Sequence, residues 1–279
     1  MLGRAGDAGL IDQTLYTQTS LFALEYSLAA VLRAWGLTPD LVMGHSVGEY
    51  VAACLAGVFS LDEGIALLAT RARLMQSLPP GGKMSALAMK PEAALEVIAP
   101  YAAEVSLAAA NGDDAAVISG VGERVAAIGA ELAARGVKVT PLTVSHAFHS
   151  PLLDPILDEL ERAAARVRYA LPRIDLVSNL SGRLAGEEVC SPGYWRRHTR
   201  EAVQFAKAVR AAHERGCRTF VELGPNPVLL GMARPLVPSD VVMLPTLRRR
   251  RGDWQQLLDA VAELYVRGAP VRAESIEAA

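Results

Sequence analysis

Aromatic residues make up only 5% of this 279-residue chain, and cysteine occurs three times, at Cys54, Cys190 and Cys217. With so few aromatics, the core has to be built mainly from Ala, Leu and Val. Three scattered cysteines without a CxxC pair exclude a disulfide framework and a zinc-finger spacing, and they suit a reducing compartment. No stretch approaches the roughly 20 apolar residues that span a bilayer. The opening residues 1–7 lack the apolar run of a secretory signal. Neither sign of charge is in excess: 28 Lys+Arg against 30 Asp+Glu leave a net charge of −2. That balance gives no electrostatic reason to bind nucleic acid or an anionic membrane. The expectation is a soluble, cytoplasmic protein with no nucleic-acid and no membrane partner. What the sequence does have is apolar surface, 51% hydrophobic against 21% charged residues, ample for a sizeable core. At roughly 150 residues per domain its length suggests about two units.

There is no tandem repeat and no low-complexity tract. Leu21, Leu24, Leu28, Val31, Leu32 and Trp35 recur at three- and four-residue steps, which predicts a helix over 19–35 that Gly36 ends. The wholly apolar Leu41-Val42-Met43 reads as a buried parallel strand, followed by a sharp turn and a second helix through Val51, Leu55 and Val58. This order is an α/β signature. Pro79-Pro80-Gly81-Gly82 is the strongest punctuation in the chain and marks a boundary. Beyond it the rhythm changes. Strands are predicted over 84–89, 105–110, 115–119 and 137–144, with helices over 91–103 and 123–135. The order βαββαβ is that of a ferredoxin-like unit, whose ends lie close enough to sit inside a larger domain. After residue 150 the α/β rhythm returns. Helices are expected over 152–166, 195–215 (in most part), 228–236 and 254–266, and strands over 174–178, 219–223 and 243–244. Residues 274–279 read as a loose tail. The four-arginine run 248–251 reads as a solvated stretch, with a docking surface as the alternative.

Gly44-His45-Ser46-Val47-Gly48 fits the G-x-S-x-G nucleophile elbow, between a strand and a helix as that turn requires. The glycines are needed where strand and helix pack against the strained turn. The helix N-terminus favours developing negative charge, and the Val47 N–H is one oxyanion donor. A serine nucleophile needs a base. Of His45, His146, His149, His198 and His213, the pair in His146-Ala147-Phe148-His149 closes the inserted unit where the chain re-enters the larger one. Position alone does not separate His146 from His149. No Asp or Glu between Ser46 and His149 follows a large-unit strand, so the imidazole is expected to be oriented by something other than a carboxylate, such as a backbone carbonyl.

Taken together these residues resemble the acyltransferase domains of modular polyketide synthases, related to the malonyl-CoA:acyl-carrier-protein transacylases. The resemblance runs in matched order from about residue 10 to about residue 249. It is carried by Thr17-Gln-Thr-Ser-Leu-Phe-Ala23, Gly44-His-Ser-Val-Gly-Glu-Tyr50, Arg71-Ala-Arg-Leu-Met-Gln76 and Asn111-Gly112. Further on it includes His146-Ala-Phe-His-Ser150, Tyr194-Trp195 with His198, Glu222-Leu-Gly-Pro-Asn-Pro227 and Leu244-Pro-Thr-Leu-Arg248.

The resemblance implies an α/β-hydrolase-like large subdomain over 1–82 and 147–247, a ferredoxin-like insertion over 83–146, and a C-terminal linker and helix over 248–279. It implies that Ser46 is acylated, that His149 is the base, and that the backbone carbonyl at His198 orients the imidazole. Arg71 would grip the free carboxylate of a malonyl group, since a guanidinium supplies planar two-point recognition. The HAFH block is similar to the malonyl-selecting form, with Phe148 occupying the space of an α-methyl and Val47 agreeing. One methyl in an apolar pocket is worth about 1–3 kcal/mol, so the selection would be real but leaky, and methylmalonyl or another extender stays open. His45, Gln76 and Asn111 fall in family motifs as further substrate-site residues.

The implied substrates and partners are malonyl-CoA, an acyl carrier protein bearing phosphopantetheine, and neighbouring synthase domains. No bound cofactor and no metal are implied. In one respect the sequence departs from such domains, which begin with a strand and a Phe-Pro-Gly-Gln-Gly-type loop that gives the second oxyanion donor. No such motif precedes Ser46, and losing one donor typically costs about 10²–10³ in rate. A weak or silent fragment is therefore one alternative reading, and a serine thioesterase or hydrolase is the other.

Overall fold

The computed structural model describes residues 9–277. The chain opens with a long helix, α1 (Thr14–Ala34), and enters the short strand β1 (Leu41–Met43). Two helices follow, α2 (Val47–Ala56) and α3 (Leu61–Gln76), the latter started by a capping box in which Ser60 and Glu63 satisfy each other's backbone N–H groups. Next come β2 (Gly82–Leu87), α4 (Pro91–Ile98), β3 (Val105–Gly112), β4 (Ala115–Val121), α5 (Gly122–Ala134) and β5 (Val139–Leu142). The remainder is α6 (Leu157–Ala164), β6 (Asp175–Val177), α7 (Pro192–Arg200), α8 (Phe205–Glu214), β7 (Thr219–Glu222), α9 (Val228–Ala233), β8 (Val242–Pro245), α10 (Asp253–Val266) and α11 (Ala273–Glu277).

The four strands of the insertion form one antiparallel sheet in the order β3-β4-β2-β5, the strand order of a ferredoxin-like unit. One face buries Leu87, Leu107 and Ile118 against Ala94 and Ile98 of α4 and Val125, Ile128 and Leu132 of α5. The other face sets Met84, Ala109 and Val117 against Val203, Phe205, Val209 and Ala233 of the large unit. The ends of the insertion touch: a Cβ on Gly82 would lie 2.6 Å from that of Ala147, so glycine lets the two chain segments pass. In the large unit β1 pairs in parallel with β6, and β7 with β8. The principal core lies among α2, α3, α6 and α7, where Tyr50, Phe59, Leu68, Met75, Leu160 and Trp195 are buried. No described helix is long and apolar enough to cross a membrane.

Several expectations are corrected at helix and strand ends. The helix expected over 91–103 stops at Ile98 and tightens into a 3-10 turn containing Pro100. Residues 151–156 also form a 3-10 turn, with Pro155 inside it, before α6 begins. The strand expected over 137–144 shortens to β5, an edge strand that tolerates Pro141. The helix expected over 195–215 is two helices separated at 201–204. The tail read as loose is helical over Ala273–Glu277, and the Arg272 N–H just before it donates to the Trp35 carbonyl; residues 278–279 lie outside the described residues.

Candidate active site

The elbow forms because Gly44 lets α2 fold back over the end of β1. A Cβ at Gly44 would fall 2.0 Å from the Gly48 carbonyl carbon, so no other residue fits there. Gly48 is different: a Cβ there would meet only the Glu25 carboxylate, at an ordinary 3.7 Å. The steric need expected of both glycines is therefore met by Gly44 alone. Ser46 between them has φ 52° and ψ −108°, a conformation that side chains rarely adopt. Strain of this kind costs about 1–3 kcal/mol and persists only where the surroundings hold it.

Asn179 does the holding. It follows β6, the strand paired with β1. Its Oδ1 accepts from the Ser46 N–H at 2.8 Å and its Nδ2 donates to the Gly44 carbonyl at 2.5 Å. Asn179 is itself fixed by the buried Glu49 carboxylate, which accepts its N–H at 2.6 Å. Sequence reasoning missed Asn179. The available signal was its place just beyond a buried strand, since open α/β sheets gather their sites at the carboxyl ends of strands.

The two candidate histidines separate cleanly. His149 Nε2 lies 2.9 Å from Ser46 Oγ, whereas His146 Nδ1 is engaged by the Thr14 hydroxyl at 2.8 Å. The opposite nitrogen of His149, Nδ1, donates to a backbone carbonyl at 2.9 Å. That carbonyl belongs to Glu201, which corrects the expectation that His198 provides it. Glu201 has left α7 with an extended backbone (φ −87°, ψ 165°), so its carbonyl is free to face the cleft. The His198 ring is buried among Tyr50, Tyr194 and Trp195, with Nε2 3.5 Å from Glu49 and neither ring nitrogen hydrogen-bonded. Burial, then the Arg71 charge, push the His149 imidazole well below the ordinary 6.5, so it is neutral and able to accept a proton.

Arg71 projects from α3 towards the same serine and is only 1% exposed. Its guanidinium donates to Gln18 Oε1 at 2.5 Å, Thr199 Oγ1 at 3.4 Å and Ser46 Oγ at 3.2 Å, and it lies over the Tyr50 ring at 5.6 Å. Among the described residues it has no carboxylate within ion-pair distance. A buried cation with only neutral partners is costly, and an anion entering the cleft would relieve it. Gln18 and Thr199 are further residues that the sequence did not single out.

The remaining expected residues sit at varied distances from the chemistry. The Val47 N–H opens α2, where no intrahelical acceptor exists, beside the Ser46 hydroxyl. Phe148 packs against both the large-unit core and the cluster between the units. His45 Nε2 is bonded to Asn111 Oδ1 at 2.9 Å, and burial lowers its basicity. Gln76 is turned elsewhere, its Oε1 accepting from the Leu15 N–H at 3.3 Å to fix the start of α1. In the run 248–251, Arg251 pairs with Asp259, and the Arg249 N–H is held by Asn226. Among the described residues no three His, Cys, Asp or Glu side chains converge as a metal-holding group.

Beside this geometry stands a sequence match: residues 3–271 match the family model of the acyl transferase domain. The chain belongs to the acyl transferase domain family. Mycoketide-CoA synthase of Mycobacterium tuberculosis is 45% identical over 264 residues, which is 94% of this chain but 6% of that protein. The chain thus spans a small part of the curated relatives it matches. Among solved structures, the acyltransferase domain from the second module of the salinomycin polyketide synthase superposes with TM-score 0.94 at 38% identity, covering 99% of this chain and 64% of that one. The malonyl CoA-acyl carrier protein transacylase of Coxiella burnetii matches with TM-score 0.84 at 28% identity, over 94% of this chain and 83% of that one.

Proposed function

We propose that this acyl transferase domain moves a malonyl unit from coenzyme A to the phosphopantetheine thiol of an acyl carrier protein, by way of an ester on Ser46. As the Ser46 oxygen attacks the thioester carbonyl, His149 Nε2 takes its proton. The carbonyl oxygen becomes an oxyanion beside the Val47 N–H and the N-terminus of α2. The C–S bond then breaks, and the coenzyme A thiolate leaves with the proton from His149. In the second half the carrier thiol gives its proton to His149 and attacks the ester, and Ser46 recovers its hydroxyl. The Glu201 carbonyl keeps Nδ1 protonated and Nε2 facing the serine throughout.

The observation that carries the malonyl assignment is Arg71, buried, without a carboxylate partner among the described residues, and 3.2 Å from the nucleophilic oxygen. A dicarboxylic acyl group presents its free carboxylate at about that distance from the reacting carbon, whereas an acetyl group leaves the guanidinium unpaired. Phe148, between the two clusters, would limit the bulk carried at the α-carbon. The carrier protein and neighbouring synthase domains are the partners this reading implies, and it calls for no bound cofactor.

Incubation with isotopically labelled malonyl-CoA followed by peptide mapping tests the proposal. A malonyl adduct on the Ser46 peptide that disappears in Ser46→Ala is expected. Label that persists in Ser46→Ala contradicts it.

A further inference from the structure

β3 has β4 on one side and is the sheet's edge on the other. That edge is not left to solvent. The Val203 N–H donates to the Ala108 carbonyl at 2.9 Å and the Ala110 N–H donates to the Val203 carbonyl at 2.8 Å, forming a parallel bridge to the segment that interrupts α7 and α8. Two residues before Val203 lies Glu201, whose carbonyl receives His149 Nδ1. Two residues before Ala108 on β3, Ser106 Oγ donates to the backbone carbonyl of His149 itself at 2.6 Å. At the far end of the strand Asn111 holds His45, the neighbour of Ser46. A single edge strand of the inserted unit therefore touches the backbone of the base, the segment that orients the base, and the residue preceding the nucleophile.

The φ of His149, 56°, lies in the left-handed region that is uncommon for any residue but glycine, so a partner for its carbonyl helps to hold it there. We infer that Ser106 is a positioning residue for the base: its hydroxyl pins the His149 backbone in the conformation that spans Ser46 Oγ and the Glu201 carbonyl. Ser106 exchanges no proton and touches no reacting atom. Without its hydroxyl the His149 carbonyl loses its partner, and the imidazole spends less time aligned with both ends of its bridge. The inserted unit is thereby part of the catalytic apparatus.

The inference rests on the Ser46–His149 reading above, and the test separates the two. A fluorophosphonate captures an activated serine whatever acyl group the enzyme prefers, so its rate of labelling reads hydroxyl activation directly. The full chain is compared as wild type, Ser46→Ala, Ser106→Ala and Ser106→Thr, each with its melting temperature. Ser106→Ala is expected to slow the saturating labelling rate about tenfold, in line with the steep cost of sub-ångström misplacement, with the half-saturating probe concentration unchanged. Ser106→Thr, which keeps the hydroxyl, is expected to restore most of the rate. Equal labelling of wild type and Ser106→Ala would overturn the inference alone. So would a loss that Ser106→Thr fails to recover and that follows a fall in melting temperature. A wild type labelled no faster than Ser46→Ala would bring down the base assignment, and this inference with it.

Discussion

In the inserted unit, four strands form one antiparallel sheet, Ile118, Val125 and Leu132 are fully buried, and α5 is followed by Gly136 at positive φ, where glycine is unstrained. In the cleft beside it, Ser46 and His149 hold positive φ without being glycine, and Arg71 is buried without a counter-ion among the described residues. One region follows the local preferences of its residues. The other goes against them, and is held by Asn179, Glu49, Glu201 and Ser106. Of the three non-glycine residues at positive φ among the described residues, two lie where the chemistry is and the third is Arg250 in the 248–251 run. The supports of Ser46 and His149 come from elements distant in sequence.

Substitutions on the two sides should therefore fail in different ways. In the cleft, His149→Ala should reduce acylation of Ser46 by about 10⁴-fold or more, the scale seen when one member of a nucleophile–base unit is lost; rapid-quench measurement of adduct formation checks this. In the inserted unit, Ile118→Ala should cost about 2–5 kcal/mol of stability by urea unfolding, while the folded fraction acylates at close to the wild-type rate.

The pH response sharpens the contrast. Because burial and Arg71 depress His149, the acid limb of the acylation rate should lie below pH 6.5, and Arg71→Gln should move it upward by removing the neighbouring charge. The same depression predicts stability lost as pH falls below about 6.5, because the unfolded imidazole then takes up a proton that the folded one refuses. Smallest of all, Ser60→Ala removes the α3 cap and should cost about 1 kcal/mol with little change in chemistry, read as a modest fall in melting temperature.

The same division explains what was legible in the sequence. The insertion's strand and helix order follows from periodicity and punctuation, and Ser46 stands out by its place between strand and helix after Gly44, the glycine with a steric reason. His146 and His149 could not be told apart by spacing, since the difference depends on Thr14, 132 residues away from His146. The orienting carbonyl at Glu201 is a backbone atom and leaves no mark in the side-chain pattern. Nor does the break that exposes it: Glu201-Ala202-Val203-Gln204 contains no proline or glycine, and the helix is interrupted because Val203 pairs with β3 instead. Asn179 and Gln18 look like ordinary polar residues until the fold brings them to Ser46 and Arg71.

The proposed choice of malonyl depends on the guanidinium of Arg71 facing an acyl group carried by Ser46. The most direct measurement is the ratio of Ser46 acylation rates with malonyl-CoA and acetyl-CoA, in the wild type and in Arg71→Ala. The geometry predicts a wild-type preference for malonyl of about 10²-fold, the scale of a charge-assisted hydrogen-bonded pair, collapsing towards parity in the variant through slower malonyl transfer. A ratio that Arg71→Ala leaves unchanged would contradict the account.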